Sequence, residues 1–341
     1  MENRILRTAS VILAVTIIAA TVALEYFSDS HTGQTQQEGI SEEQIPESPS
    51  IQISESEEEE FQQQLRLELP EGMVLEDLVI ENDYVSQNII IEIPDVESNY
   101  FMEHPLLGQS NHINDLYMGK GRIEITMDAV YEVESMVEDG YLYLDFISPQ
   151  EVYDKVVVID AGHGGGAPGA ISQEVMEKDI NLAIVKELKA LFEASDENIG
   201  VYYTRVEDEN PTFEQRAQLG VKSGAELFIS VHSNSTGDGT VTQEHGTEVM
   251  YDEEKKEEGL TSEYLAQVCL EEMVAAMGSK NNGVLPGHSI DIIRICEIPA
   301  VLLEVGYMTN QEELEKLISP EYQKQAAQGI YNAILRVLQE D

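Results

Sequence analysis

Apolar and polar positions change rhythm three times along the chain, and each change predicts a different kind of structure. Residues 8–24 (TASVILAVTIIAATVAL) carry no charge, close to the ~20 residues that a helix needs to cross a bilayer. Residues 61–153 hold short runs such as LRLEL, LEDLVI, NIIIEI, RIEITM, AVYEVESMV and YLYLDF, parted by glycine, proline and Asn/Asp turns that include Asp139-Gly140. Their alternation predicts half-buried strands, and their number and spacing predict a small β-sandwich. From 154 onward, unalternating runs (VVVI at 156–159, LFISV at 227–231, AVLLEV at 300–305) interleave with segments at helical spacing, such as Ile180, Ile184, Leu188 and Leu191. Such runs suit strands buried on both faces. With VYYTR (201–205), TEVMY (247–251) and IDIIRI (290–295) as further strands, residues 154–341 predict a three-layer α/β domain. Its sheet is mostly parallel, six-stranded and flanked by helices. Asn310 with Glu313 reads as a capping box, and Ser319-Pro320 opens a last helix over 321–338.

Charge adds a direction to this layout. The 341 residues include 19 Lys+Arg and 65 Asp+Glu, a formal net charge of −46. Nucleic acid is excluded as a partner, because its binding draws on phosphate neutralisation by Lys and Arg. Arg4 and Arg7 precede the first apolar run and acids follow it, which leaves the N-terminus inside and the rest outside a membrane. Residues 1–27 read as a signal-anchor or a cleavable signal peptide. The run exceeds the ~7–15 residues of a signal peptide's core, which favours the anchor. Residues 28–60 are rich in Ser, Gln and Glu and end in ESEEEE, with no Lys or Arg between Arg7 and Arg66. They read as a disordered acidic linker that repels itself into an extended tether. The expected protein is extracytoplasmic and membrane-anchored at the cell envelope, or secreted if the N-terminal segment is cut. Cys269 and Cys296 imply no disulfide framework; buried free thiols and a single bridge between them both fit.

Three polar residues fall where buried strands should end: His163 after VVVIDAG, His232 after LFISV and Glu304 after AVLL. Singly, each histidine is most simply a hydrogen-bonded structural residue. A glutamate inside PAVLLEVG is harder to dismiss, because carboxylates are seldom buried without a partner. Together, two imidazoles and carboxylates at one sheet edge suit zinc hydrolysis, in which three protein ligands leave one position for water. A further carboxylate must then move the water's proton. Several acids are available, so the residue pattern alone leaves ligand and base undivided. The chain lacks H-E-x-x-H, which excludes that protease class.

GHGGGAPGAI (162–171), EKDINLAI (177–184), TR (204–205), EQRAQLG (214–220), FISVHSNS (228–235), GTEVMY (246–251) and PAVLLEVGYMTN (299–310) occur in order. Together they resemble the zinc-dependent N-acetylmuramoyl-L-alanine amidase family (amidase type 3). The resemblance implies one zinc ion held by His163, Glu177 and His232, with Glu304 as general acid/base and peptidoglycan as substrate. It favours Glu177 over Glu174 as the ligand through EKDINL. One departure is Ala167-Pro168-Gly169, where the family commonly has Asp-Pro-Gly; it leaves the tuning of His163 open. Residues 61–153 resemble, in position and texture, the β-rich wall-targeting AMIN domain. Arg294, Ser233 and Asn234 could touch substrate and equally fit structural roles, and His245 and His288 have no transferred role. Two other functions share this pattern: a zinc peptidase cutting stem-peptide bonds, and a non-catalytic wall-binding protein.

Overall fold

The computed structural model describes residues 63–237 and 240–340. The expected membrane segment (1–27) and acidic linker (28–60) lie outside the described residues. Among the described residues, no helix is long and apolar enough to cross a membrane.

The first eight strands are β1 (Leu65–Glu68), β2 (Val79–Asp83), β3 (Asn88–Glu92), β4 (Leu107–Gly108), β5 (Ile113–Gly119), β6 (Arg122–Met127), β7 (Glu132–Glu138) and β8 (Tyr141–Ile147). A single-turn helix α1 (Tyr100–Glu103) lies among them. They form two antiparallel four-stranded sheets, β4-β1-β8-β7 and β2-β3-β6-β5. Alternate residues turn inward, so Leu65 and Leu67, Ile89 and Ile91, Ile123 and Ile125, and Leu142 and Leu144 share one buried cluster. Two details differ from the sequence pattern. LEDLVI yields a 3₁₀ turn before β2, and β5 has three exposed residues among its seven, which hid its alternation.

After the short helix α2 (Pro149–Val152) come β9 (Lys155–Ala161), a hairpin of β10 (Ile171–Ser172) and β11 (Val175–Met176), and helix α3 (Glu177–Ala194). The chain continues through β12 (Ile199–Tyr203), α4 (Phe213–Ser223), β13 (Leu227–Asn234), β14 (Thr247–Tyr251), α5 (Ser262–Met277) and β15 (Asn281–Pro286). It ends with α6 (Asp291–Ile295), β16 (Ala300–Tyr307), α7 (Gln311–Leu317) and α8 (Pro320–Glu340). The main sheet runs β12-β9-β13-β16-β14-β15. Every pairing is parallel except β14 with β16. Two expectations need correction here. IDIIRI is not a strand: residues 291–295 form α6, and the sixth strand is β15. The proposed Asn310–Glu313 box is half-made. Asn310 caps α7 by accepting from the N–H groups of Glu312 and Glu313, while the Glu313 carboxylate turns away to accept from Tyr307 and Gly246.

Odd residues of β9, β13 and β16 pack with α3, α5 and α8 on one face, and even residues pack with α4 and α6 on the other. The three-layer order follows from this division. The second face also receives the upstream sheets. Val130 joins its core, and the Val130 N–H donates to the Lys222 carbonyl (2.9 Å). Tyr84 and Tyr202 meet edge to face, and their hydroxyls donate to the Glu132 carboxylate at 2.8 and 2.6 Å. At the carboxyl ends of β9, β13 and β16 lies the edge where open α/β sheets bind ligands.

Candidate metal centre

Strand register assembles the centre. His232 pairs with Glu304 between β13 and β16, and Glu304 pairs with Glu248 between β16 and β14. The Gly162 N–H donates to the Val231 carbonyl (3.0 Å), so Gly162 extends β9 beside His232. Register partners project from the same face, which makes one row across four strands: Gly162, His232, Glu304, Glu248. Gly162 is required by space, since a Cβ there would lie 2.2 Å from His232 Nε2. The next residue, His163, has φ 61° and turns the chain out of the sheet in the left-handed region. Gly169 has φ +68°, and a Cβ there would sit 2.5 Å from Glu177 Oε2 and 2.6 Å from His163 Cδ2. Glu177 is the first residue of α3. Its Oε2 accepts from the Ala170 N–H (2.9 Å) and its Oε1 from the Ser233 N–H (3.3 Å).

The structure brings together His163, Glu177 and His232, each offering one ligand atom, all within 4.8 Å of one another. His163 Nε2 is 3.1 Å from Glu177 Oε2, and His232 Nδ1 is 2.8 Å from Glu177 Oε1. Burial opposes ionisation of Glu177, but the hydrogen bonds and charges of His163 and His232 outweigh it and hold the carboxyl below the usual range. Two imidazoles and one carboxylate form a donor set suited to a divalent metal. Glu304, beside them, is different. The residue is half-buried, yet its Oε2 is shut from solvent with no hydrogen-bond partner. Burial first, then the charges of Glu177 and Glu248, push its carboxyl well above the ordinary range. A buried polar atom without a partner is costly, and this one belongs to the residue in register with His232.

The other candidates separate cleanly. Glu174 is exposed at the tip of the β10–β11 hairpin, with φ 69°. Arg294 sits on α6, ahead of the amino end of β16, and pairs with Asp291. Ser233 donates from its hydroxyl to Asn181, and Asn234 donates to Glu248 Oε1 (2.6 Å). His245 contacts the Gln243 carbonyl, and His288 contacts Asp252 and Glu254. At the Ala167 departure, Gly164 and Ala167 exchange backbone hydrogen bonds (3.0 and 2.8 Å), and inside the turn the Gly165 N–H donates to Asp208 Oδ1 (2.8 Å) and the Gly165 carbonyl accepts from Lys178 Nζ (2.9 Å). Cys269 and Cys296 are buried free thiols.

Sequence reasoning gave no role to Glu248 or to Asp160. Glu248 is buried and held by Asn234 and the Tyr307 hydroxyl (3.2 Å). Asp160 is buried against Arg216 (2.6 Å), Thr204 (2.5 Å) and Ser230 (2.6 Å). A charge at the end of an apolar run was the available signal for Asp160, and period-two alternation in TEVMY for Glu248.

Comparison with known proteins points to one family. Residues 157–336, more than half of the chain, match the family model described as N-acetylmuramoyl-L-alanine amidase. The uncharacterized protein YqiI of Bacillus subtilis (strain 168) is 34% identical over 185 residues, which are 54% of this chain and 85% of YqiI. The N-acetylmuramoyl-L-alanine amidase LytC of the same organism is 28% identical over 181 residues, and the match spans only 35% of LytC. The crystal structure of N-acetylmuramoyl-L-alanine amidase from Clostridium difficile 630 superposes with a TM-score of 0.51 at 30% identity, covering 55% of this chain and 98% of that one. From its motif order, its sheet edge and these matches, the chain belongs to the family of N-acetylmuramoyl-L-alanine amidases, hydrolases of an amide bond in peptidoglycan.

Proposed function

We propose that the chain cleaves the amide bond between N-acetylmuramic acid and L-alanine of peptidoglycan, using one zinc ion at its carboxyl sheet edge. The observation that carries this reading is the unpartnered Glu304 oxygen beside a His–Glu–His cluster. His163, Glu177 and His232 would hold the ion, which supplies a Lewis acid that brings the pKa of a water down to about 7. Glu177 is kept ionised by its two imidazoles and so offers a charged donor. Glu304, whose proton affinity burial raises, would take a proton at Oε2 from the water as its oxygen bonds to the lactyl carbonyl carbon, and deliver it to the L-alanine nitrogen as the C–N bond breaks. Backbone clearance at Gly162 and Gly169 keeps the imidazoles and Glu177 free of neighbouring side chains.

The same reading puts the enzyme outside the cytoplasm, with residues 1–27 as membrane anchor or signal and 28–60 as spacer. The sheets within 61–153 form a wall-targeting β-sandwich ahead of a catalytic domain over 154–341. The apolar run at 8–24, the acidic tract and the resemblance to AMIN domains support these assignments.

Digestion of purified peptidoglycan, with and without chelator, tests the function by mass spectrometry of the products. Chelator-sensitive release of intact stem peptides beginning at L-alanine is the expected result. Shortened stems would instead assign a zinc peptidase, and no release from folded, zinc-loaded protein would assign a wall-binding role.

A further inference from the structure

The chain has 19 Lys+Arg for 65 Asp+Glu, yet it buries two arginines beneath its glycine loop. Arg205 and Arg216 are each 2% exposed. Arg216 donates from Nη1 to Asp160 Oδ1 (2.6 Å) and the Ala161 carbonyl (2.9 Å). Its Nη2 donates to the His163 carbonyl (2.8 Å) and to Asn210 Oδ1 (3.2 Å), and its Nε to the Pro211 carbonyl (2.9 Å). Arg205 donates from Nε to the Ala161 carbonyl (2.8 Å) and from Nη2 to the carbonyls of Gly162 (2.9 Å) and Lys178 (3.0 Å). Three consecutive carbonyls, 161 to 163, therefore each receive a guanidinium N–H.

Desolvating a guanidinium is expensive unless its donors are used. Asp160 accounts for one arginine. The other is satisfied by backbone carbonyls, so its burial serves the loop rather than an ion pair. What this loop must hold is His163, a non-glycine residue at φ 61°. Such a conformation persists only where its surroundings over-determine it, and the planar arginine fork can grip a carboxylate and two carbonyls at once where lysine cannot.

We infer that Arg216, seconded by Arg205, is a positioning residue that fixes His163 in its left-handed conformation and so sets the affinity of the centre for metal before metal arrives. The inference rests on the reading of His163 as a metal ligand. Arg216 touches no reacting atom in this account; it acts through the backbone of His163.

Arg216→Lys in the full chain tests it. The metal-free protein is titrated with Co(II), followed by its visible absorption, and with Zn(II) against a chromophoric chelator, and its unfolding midpoint is measured alongside. The expected result is affinity weakened on the order of tenfold or more. The metal-free midpoint should fall, because lysine cannot replace every buried hydrogen bond of Arg216, while the variant still folds and kcat recovers at saturating zinc. A folded R216K protein that binds both metals as tightly as wild type overturns the inference.

A second measurement needs no variant. In metal-free wild-type protein, the His163 backbone scalar coupling and chemical shifts should already report positive φ. Positive φ that appears only on adding metal would mean that metal, and not Arg216, sets the conformation. The metal reading is judged separately: wild type should bind Co(II) and His163→Ala should lose its spectrum. Wild-type protein that binds no Co(II) fails the metal reading, and the coupling still decides whether the arginines hold His163.

Discussion

Histidines meet carboxylates at both edges of the six-stranded sheet, and the two meetings are built differently. At the carboxyl ends of β9 and β13, His163 and His232 share Glu177, whose side chain is 8% exposed. At the opposite edge, beyond β14 and β15, one imidazole serves two carboxylates: His288 Nδ1 lies 2.8 Å from Asp252 and Nε2 lies 3.4 Å from Glu254. The Asp252 side chain is buried (4% exposed), but the His288 side chain is 41% exposed and that of Glu254 is 67% exposed, so water reaches and screens the imidazole. The first edge also has glycines that clear space for the rings, and an acid with an oxygen left over. Residue types at strand ends do not distinguish the two edges. Leftover polar capacity in a dry place does.

Metal removal should have the largest effect. Chelation is expected to take amidase activity to background, and zinc should restore it in wild type but not in His232→Ala. Activity that survives dialysis against chelator, with metal content measured below a tenth of an equivalent, would erase the distinction between the edges.

Glu304→Gln comes next. Removing a general acid/base costs about 10²–10⁴-fold, so kcat on muramoyl peptides should fall within that range while zinc content stays at one equivalent. The same variant should gain stability without metal. A carboxyl whose folded pKa lies above its unfolded value binds more protons when folded, so stability falls as pH rises from about 4.3. Burial raises Glu304 in this way. Melting of the metal-free proteins should therefore put E304Q above wild type at pH 7, with the difference vanishing near pH 4. Wild-type turnover by E304Q would remove the residue from the mechanism.

Asp160→Ala addresses the support beneath the loop. Breaking one side of a buried pair costs about 3–5 kcal/mol, which denaturant unfolding at pH 7 would read. Burial opposes ionisation of Asp160, but Arg216 and the hydroxyls of Ser230 and Thr204 outweigh it and depress its pKa. Its contribution is thus present above about pH 4 and lost as pH falls through the depressed folded value. The gap between D160A and wild type should narrow in acid; a gap constant down to pH 2 would mean that packing, not charge, holds the loop.

Much of this was legible in the chain. The run Val156 to Ile159 announces a strand buried on both faces, and β9 is buried from Val156 to Ala161. IDIIRI misled because a short apolar run fits either period; its buried residues, Ile292 and Ile293, lie on a helix. The true sixth strand, Asn281–Pro286, has no fully buried residue and carries asparagine, glycine and proline, as an edge strand can. Glu177 was separable from Glu174 only through the resemblance, because both stand where the same helix begins, Glu177 as its first residue and Glu174 three residues ahead. The duties of Arg205 and Arg216 stayed hidden because their acceptors beneath the glycine loop, such as the Ala161 carbonyl for Arg205 and Asp160 for Arg216, lie 44 and 56 residues away, where no local pattern connects them.

The smallest expected effect belongs to His288→Ala, and it sharpens the comparison most. The hydrogen bond to Asp252 comes first among the influences that raise the His288 pKa, with the charges of Glu254, Asp252 and Glu253 adding to it. A histidine raised on folding stabilises fully below its unfolded pKa of about 6.5 and loses that contribution as pH rises through the folded value. Thermal melting should then put H288A slightly below wild type at pH 5.5 and level with it near pH 9, with zinc content unchanged and turnover within about twofold, as for an exposed substitution. Should H288A instead lose zinc or turnover as His232→Ala does, exposure would not separate a working cluster from a surface ion pair, and the sheet would have two functional edges.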